Sequence, residues 1–174
     1  MMEQWQDAKI WKSFKKKHNL KIVYISDIVE YRLANEQLVS KIDEEEIEFF
    51  GVKVEKITFK DHLNRIHTVI VFYNMHKNVN VKFHNIGSDV DLLLNSKRFN
   101  TLMKSIEYLK KNGGLLIFLD TKTISKEQAK EYGIGAQILK QLGVKEINLL
   151  TTNLDTEFIG ISGFGLNVRK KIAL

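Results

Sequence analysis

Cysteine is absent from the 174 residues, and so is proline. Without cysteine the chain has no disulfide, no thiolate nucleophile and no cysteine-ligated zinc or iron–sulfur site. Without proline, and without a low-complexity tract, the usual markers of a linker are missing. No apolar run reaches the roughly 18 residues of a membrane span, and the start "MMEQWQDAKIWKSFKKKHNL" is too interrupted by charge for a signal peptide. We therefore expect a cytoplasmic protein.

The chain has a net charge of +6, and 44% of its residues are hydrophobic. That hydrophobic share fills the core of one domain, with room for a short appendage. A positive excess attracts nucleic acid, anionic lipid and phosphorylated small molecules alike, so charge alone selects none of them. The lysines are spread along the chain and alternate with apolar positions, which is typical of an ordinary solvated surface. We therefore expect neither a nucleic-acid nor a membrane partner.

Histidine spacing argues against a metal site. The HExxH motif is absent, and no two histidines have the i, i+4 spacing of helical metal ligands. Asp89 and Asp91 flank an apolar residue, and we expect them to place favourable charge at the start of the helix that follows. The sequence therefore predicts no catalytic residue, no metal and no cofactor for this chain.

The first part of the chain has the pattern of a lead-in segment. Residues 1–19 have the pattern of a basic amphipathic helix, and a short strand "LKIVYI" follows. Ser26 and Asp27 supply an N-cap for a second helix that extends to Ile42. We therefore divide the chain into a lead-in at residues 1–43 and a domain at residues 44–174.

From Ile47 the hydrophobic period changes to two, which predicts three strands, "IEFFGVKVEKITF", "HTVIVFYN" and "VNVKFH", in an antiparallel meander. One helix then follows from Ser88 and ends at Gly113. The apolar "LLIFLD", a helix from about Lys126 to Leu142 and the strand "INLLTTN" form a βαβ unit with a parallel strand pair. "LNVRKKIAL" is the last strand. The pattern predicts a mixed α/β (α+β) fold in which antiparallel strands precede a βαβ unit and helices pack on a mixed sheet.

Two short motifs leave alternatives open. The glycines of "GIGAQIL" at a helix start let backbone N–H groups approach a phosphate, but the dinucleotide fingerprint also needs a third glycine and a preceding strand. Residue types alone therefore favour tight helix packing. "TTN" at the end of a strand places hydroxyl groups where open α/β sheets bind ligands, or it simply caps a turn.

Taken together, "EYGIGAQILKQLGVKEINLLTTN" and "FIGISGFGLNVRKKIAL" resemble the C-terminal part of GTP cyclohydrolase II. That family has R-D-Y-G-I-G-A-Q-I-L, L-G-V, L-L-T-N-N and G-Y-G-L with a basic tail. The lead-in "FKKKHNLKIVYISDIVEYRLANEQLV" is similar to the end of 3,4-dihydroxy-2-butanone 4-phosphate synthase in bifunctional riboflavin proteins. The resemblance implies the C-terminal portion of such a fusion, a homodimer, and a synthase domain upstream that alone uses Mg²⁺.

The zinc site that the resemblance implies is missing. The family holds zinc with three cysteines, and the metal generates the attacking hydroxide. Aligned to this chain, those positions fall near Gly87, Asn95 and Lys97. Since none of these replaces a thiolate, the resemblance implies a degenerate domain.

Much of the nucleotide cradle has changed as well. The family's phosphate-binding arginine corresponds to Lys82, which loses the bidentate fork. The arginine of R-D-Y-G has become Lys130, a lysine position reads Thr156, and the catalytic tyrosine has no counterpart, whereas the threonine survives as Thr151.

Three functions follow from the resemblance. The first is a structural or dimerisation partner of the synthase, without cyclohydrolase activity. The alternative is a regulatory domain that still binds a purine nucleotide or a pathway product, and the third, least favoured, is metal-independent cyclohydrolase activity. The residual nucleotide or phosphate candidates are Lys82, Lys130, Gly133, Gly135 and Thr151. A binding domain would keep a concave, positively charged pocket beside Thr151, whereas a scaffold would have filled it with side chains.

Overall fold

The computed structural model describes residues 14–21, 23, 28, 31, 35–73, 78–120, 128–154 and 166–174, and for residues 128–132 it describes the backbone alone. Residues 14–18 are helical, as the sequence predicts for residues 1–19, whose first part lies outside the described residues. Of the predicted strand "LKIVYI", the structure describes Leu20, Lys21 and Val23, and none of the three is in a strand, whereas the glycine-rich "FIGISGFG" lies outside the described residues. Within the described residues, no helix is long and apolar enough to cross a membrane.

A seven-stranded mixed sheet with helices confirms the predicted fold class. In chain order the elements are β1 (Val39–Phe49), β2 (Val52–Asp61), β3 (Ile66–Phe72), β4 (Val79–Ile86), α1 (Asp89–Leu94), α2 (Ser96–Asn112), β5 (Gly114–Asp120), α3 (Gln128–Gln141), β6 (Glu146–Thr151) and β7 (Asn167–Ala173). The strand order is β1-β2-β3-β5-β4-β6-β7. Pairing is antiparallel from β1 to β5 and parallel from β5 to β7.

The predicted neighbours of β4 are wrong. The first predicted strand is two strands, because Phe50 and Gly51 turn the chain with φ angles of 48° and 76°. The meander is therefore β1-β2-β3, and β4 leaves it to pair in parallel with β5 and β6. As a result the two strands of the predicted βαβ unit are not adjacent. A crossover helix, α2, returns the chain from β4 to β5, which is how parallel neighbours are connected.

The single helix predicted from Ser88 is two helices. Ser88 caps α1 by accepting a hydrogen bond from Asp91 N–H. Asn95, with φ −99° and ψ 82°, breaks the helix and caps α2 through its side chain. Gly113 ends α2 at φ 69°, as predicted. The predicted helical charge of Asp89 and Asp91 lies in the first turn of α1.

The second lead-in helix ends earlier than predicted. Residues up to Ile42 were assigned to it, but β1 begins at Val39, so the position between residues 43 and 44 lies inside a strand. The Gln137 side chain of α3 accepts a hydrogen bond from Leu38 N–H and donates one to Glu36 C=O, both at 2.8 Å. These bonds to the backbone hold the segment extended as it approaches the sheet.

Each face of the sheet has its own hydrophobic core. α3 covers one face, where its buried residues are Ile134, Ala136, Ile138 and Leu139. α2 covers the other face, where the buried residues are Leu102, Ile106, Leu109, Val54, Ile70, Phe72, Leu116 and Leu150. The two helices thereby fix β4 between two packed layers, with its carboxyl end at the sheet's edge.

Candidate functional site

An open pocket of about 550 Å³ lies beside the carboxyl ends of the parallel strands β4 and β6. Ligands in open α/β sheets bind at this edge. The polar and charged side chains that line the pocket include Lys82, His84, Asn95, Lys97, Arg98 and Thr152. They come from β4, from the first turn of α2 and from the residue after β6.

Local structure explains how these side chains meet. Lys82 and His84 are two apart on β4, so the strand period places them on the same face. Asn95 caps α2 by accepting a hydrogen bond from Arg98 N–H at 3.0 Å. That cap starts the helix at the pocket and brings Lys97 and Arg98 to its rim.

The pocket holds positive charge without a described counter-ion. Burial lowers the pKa of Lys82. His84 is 9% exposed, and burial, followed by the charges of Arg98 and Lys82, lowers its pKa to about 4. No acidic residue occurs among the described lining residues. Since burying a cation without a partner is unfavourable, the arrangement suits an anionic ligand.

The positions aligned with the family's zinc cysteines converge at this pocket. Asn95 and Lys97 line it, and Gly87 lies against Arg98, whose Nη1 would be 3.3 Å from a Cβ added at Gly87. The Arg98 guanidinium donates to Asn85 C=O. In the described part of the chain, no three His, Asp or Glu side chains are grouped to hold a metal. A glycine, an amide and two cationic side chains do not fit zinc, which needs thiolate, imidazole or carboxylate ligands.

Thr151, a predicted site residue, is 8% exposed and caps a turn. Its Oγ1 accepts a hydrogen bond from Asn153 N–H and donates one to Asn153 C=O, both at 3.1 Å. Of the two interpretations of "TTN", the turn cap is therefore the one that the structure shows for Thr151. The next residue, Thr152, lines the pocket instead.

The predicted glycine pair does not open a helix. α3 begins at Gln128, so Gly133 and Gly135 lie in its interior, where backbone N–H groups bond within the helix. A Cβ on Gly135 would lie 2.6 Å from Phe83 Cε1, so this glycine allows α3 to approach β4 closely. Lys130 belongs to α3, but its side chain lies outside the described residues. Of the other four predicted candidates, Lys82 alone is among the described residues that line the pocket.

Sequence reasoning missed His84, Lys97 and Arg98. A signal existed for His84, because it alternates with Lys82 in "VNVKFH". For Lys97 and Arg98 the signal was "NSKR", in which asparagine caps a helix and two cations occupy the first turn without an acidic residue. Cations in the first turn of a helix are disfavoured by the helix dipole, so their presence there indicates a binding role.

A second polar cluster lies at the turn between β2 and β3. The Asp61 carboxylate accepts hydrogen bonds from Leu63 N–H and Arg65 N–H, both at 2.9 Å, and from Arg65 Nε at 2.6 Å. Burial raises the pKa of Asp61, but these bonds outweigh it and the net shift is downward. His67 Nδ1 accepts from Asp120 N–H at 3.2 Å, and its Nε2 lies 3.3 Å from Asp61 Oδ2 without hydrogen-bond geometry. The contacts tie the turn together, so we assign the cluster a structural role.

Residues 121–173 match the GTP cyclohydrolase II family. The chain is 46% identical over 161 residues to a 3,4-dihydroxy-2-butanone 4-phosphate synthase of Wolinella succinogenes, covering 92% of this chain and 46% of the relative. It is 48% identical over 154 residues to the protein of the same name from Sulfurospirillum multivorans, covering 88% and 43%. The chain therefore spans about half the length of these curated relatives.

A crystal structure of RibBX, a two-domain 3,4-dihydroxy-2-butanone 4-phosphate synthase from A. baumannii, has a similar fold. The TM-score is 0.65 at 23% identity, and the match covers 97% of this chain and 49% of that one. At this identity the likeness shows the fold alone. Nearly the whole chain is thus similar to part of proteins named 3,4-dihydroxy-2-butanone 4-phosphate synthase, and its residues 121–173 match the GTP cyclohydrolase II family.

Proposed function

We propose that this chain is a riboflavin-biosynthesis domain that accompanies 3,4-dihydroxy-2-butanone 4-phosphate synthase, lacks GTP cyclohydrolase activity and binds an anionic ligand. The names of the relatives support the pathway, and their greater length supports a synthase domain in the same polypeptide. The residues at the zinc positions support the loss of cyclohydrolase chemistry, because Gly87, Asn95 and Lys97 cannot activate a water molecule through zinc.

The unpaired lysines and the neutral imidazole of the open pocket carry the ligand-binding part of the proposal. In the described residues, the side chains of Lys82, His84 and Lys97 form no hydrogen bond or ion pair. A domain selected only as a scaffold would gain stability from apolar side chains at the partly buried Lys82 and the buried His84, whereas a binding site keeps such a cost in return for its ligand. We therefore place the regulatory interpretation before the purely structural one.

A structural or dimerisation role remains the second candidate, and α1 favours it. Val90, Leu93 and Leu94 of this helix are 63%, 66% and 81% exposed. Neighbouring large apolar side chains at a surface are typical of contact with another protein. The homodimer and the synthase domain are the partners that we propose for this surface.

GTP turnover tests the loss of cyclohydrolase activity. The purified chain would be incubated with GTP, once with added Zn²⁺ and once with EDTA, and assayed for the ring-opened product. We expect no product above the protein-free control in either buffer. Zn²⁺-dependent product would contradict the proposed loss of the metal site, and product in EDTA would revive metal-independent catalysis.

A further inference from the structure

We propose that the pocket binds a small phosphomonoester, with its phosphate between Lys82 and the first turn of α2, in preference to a nucleoside triphosphate. This inference rests on the proposed ligand-binding role and adds the chemical class of the ligand. The class is a short hydroxylated carbon chain that carries one phosphate.

The first turn of α2 has the features of a phosphate-binding site. The 17-residue helix has no acidic residue in its first turn, where it carries Lys97 and Arg98 instead. Those cations face the positive end of the helix dipole, which disfavours them. The Asn95 cap uses the N–H of Arg98, and the first N–H groups of a helix have no acceptor within the helix itself. A phosphate at this position accepts from the N–H groups and neutralises both side chains.

His84 supports a ligand in this pocket independently of the first turn of α2. It is 9% exposed, lines the pocket and forms no hydrogen bond in the described part of the chain. Its ring packs edge-on against Phe118, with centroids 5.5 Å apart, so its orientation is fixed. A neutral imidazole has one N–H donor, and without a protein acceptor that donor is left for a ligand in the pocket. β4 thus contributes Lys82 and His84, from one face of the strand, to the same pocket that the first turn of α2 lines.

The lining disfavours guanine and a stacked base. Guanine presents N–H donors and needs strong acceptors, but no carboxylate occurs among the described lining residues. Phe83 is the only phenyl or indole ring among them, and it alternates with Lys82 and His84 along β4, so its side chain belongs to the opposite face of the strand, where it contacts α3 at Gly135. Base stacking requires a free ring face.

Hydroxyl groups of a short ligand have partners in the same pocket. Thr101 and Thr152 line it, and Thr101 Oγ1 already donates to Lys97 C=O at 2.8 Å, which leaves its lone pairs to accept. A pocket of about 550 Å³ is in the lower half of the range for small-molecule sites. The compound in the relatives' names, 3,4-dihydroxy-2-butanone 4-phosphate, has this chemistry and is the probe that we choose.

Calorimetry of the full chain at pH 7.5 tests the inference with three probes: 3,4-dihydroxy-2-butanone 4-phosphate, inorganic phosphate and GTP. We expect the phosphomonoester to bind at least about tenfold more tightly than the other two, since inorganic phosphate lacks the carbon-borne hydroxyl groups and the described lining offers guanine neither a carboxylate nor a stacking ring. Equal affinity for inorganic phosphate, or tighter binding of GTP, would overturn the ligand class.

Charge-removing variants locate the site. Lys82→Gln and Lys97→Gln should each weaken phosphomonoester binding about tenfold or more, because each removes a charge-assisted contact to the phosphate. Lys111 lies about 21 Å from Lys97 along α2, so Lys111→Gln removes one positive charge away from the pocket and should leave the affinity unchanged. Thermal melts confirm folding of each variant. Equal weakening in all three variants would contradict this site and indicate general electrostatic attraction.

The outcomes separate the inference from the proposed function. GTP binding that Lys82→Gln abolishes would reject the phosphomonoester and retain a ligand-binding domain. No heat with any probe up to millimolar concentration would reject both, and the structural role would remain.

Discussion

Gly135→Ala is the most direct test of the close approach between α3 and β4. The added Cβ would lie 2.6 Å from Phe83 Cε1 and 3.1 Å from Cδ1, so the ring or the helix has to move. Overpacking of this kind costs about 1–3 kcal/mol. Alanine in place of glycine inside a helix returns about 1 kcal/mol. We expect a net loss of about 0–2 kcal/mol in unfolding free energy, and a larger loss for Gly135→Leu.

Because the two terms have opposite signs, the sharper experiment is a double-mutant cycle with Phe83→Ala. Without the ring the clash disappears and only the helix preference remains. Gly135→Ala should therefore stabilise the Phe83→Ala protein by up to about 1 kcal/mol. The coupling between the two positions should be about 1–3 kcal/mol.

Urea denaturation followed by circular dichroism measures all four proteins of the cycle. In thermal melts of a chain of this size, 1 kcal/mol corresponds to roughly 2–4 °C. If Gly135→Ala changes the free energy of unfolding by the same amount with and without the Phe83 ring, contact with that ring is not the reason that position 135 requires glycine.

Two further predictions concern the buried polar groups. The folded pKa of His84, about 4, lies below its ordinary 6.5. The contribution of neutral His84 to the free energy of unfolding is therefore fully present above pH 6.5. It is lost as the pH falls toward 4, by roughly 3 kcal/mol at most. Urea midpoints at pH 7.5 and 5.0 should differ less in His84→Gln than in the unmodified protein, and an equal difference would show that His84 is not responsible. Asp61→Asn removes the carboxylate that pairs with Arg65, and we expect a loss of about 3 kcal/mol in urea denaturation. A loss below about 0.5 kcal/mol would show that the Asp61–Arg65 pair contributes no more to stability than an exposed ion pair does.

Three features of the fold followed from local patterns. Alternation in "HTVIVFYN", the apolar run "LLIFLD" and the glycine at Gly113 each depend on neighbouring residues, and those elements formed as predicted. Strand neighbours depend on segments far apart in the chain. Nothing in "VNVKFH" alone specifies that β5 and β6 lie on its two sides, so the meander prediction placed β4 wrongly.

The pocket was predictable only in part, for the same reason. Lys82 was identified through a resemblance, whereas His84 needed its burial and Lys97 needed the helix break at Asn95. The break depends on an asparagine side chain that competes with the helix for a backbone N–H. The glycine pair was placed at a helix start, whereas it lies inside α3, but the tight packing that the residue types favour is present at Gly135, which makes room for the Phe83 ring.

The position of β4 in the sheet also determines the order in which the chain acquires its structure during synthesis. β1, β2 and β3 pair with sequence neighbours, so this meander forms as soon as residue 72 is available. β4 has both of its partners later in the chain, and the second, β6, ends at Thr151. Non-local pairing of this type is slow and leaves apolar strand edges uncovered meanwhile. The strand that carries Lys82 and His84 is therefore made early and completed late, which exposes the nascent chain to misassembly while more than a third of these residues are synthesised.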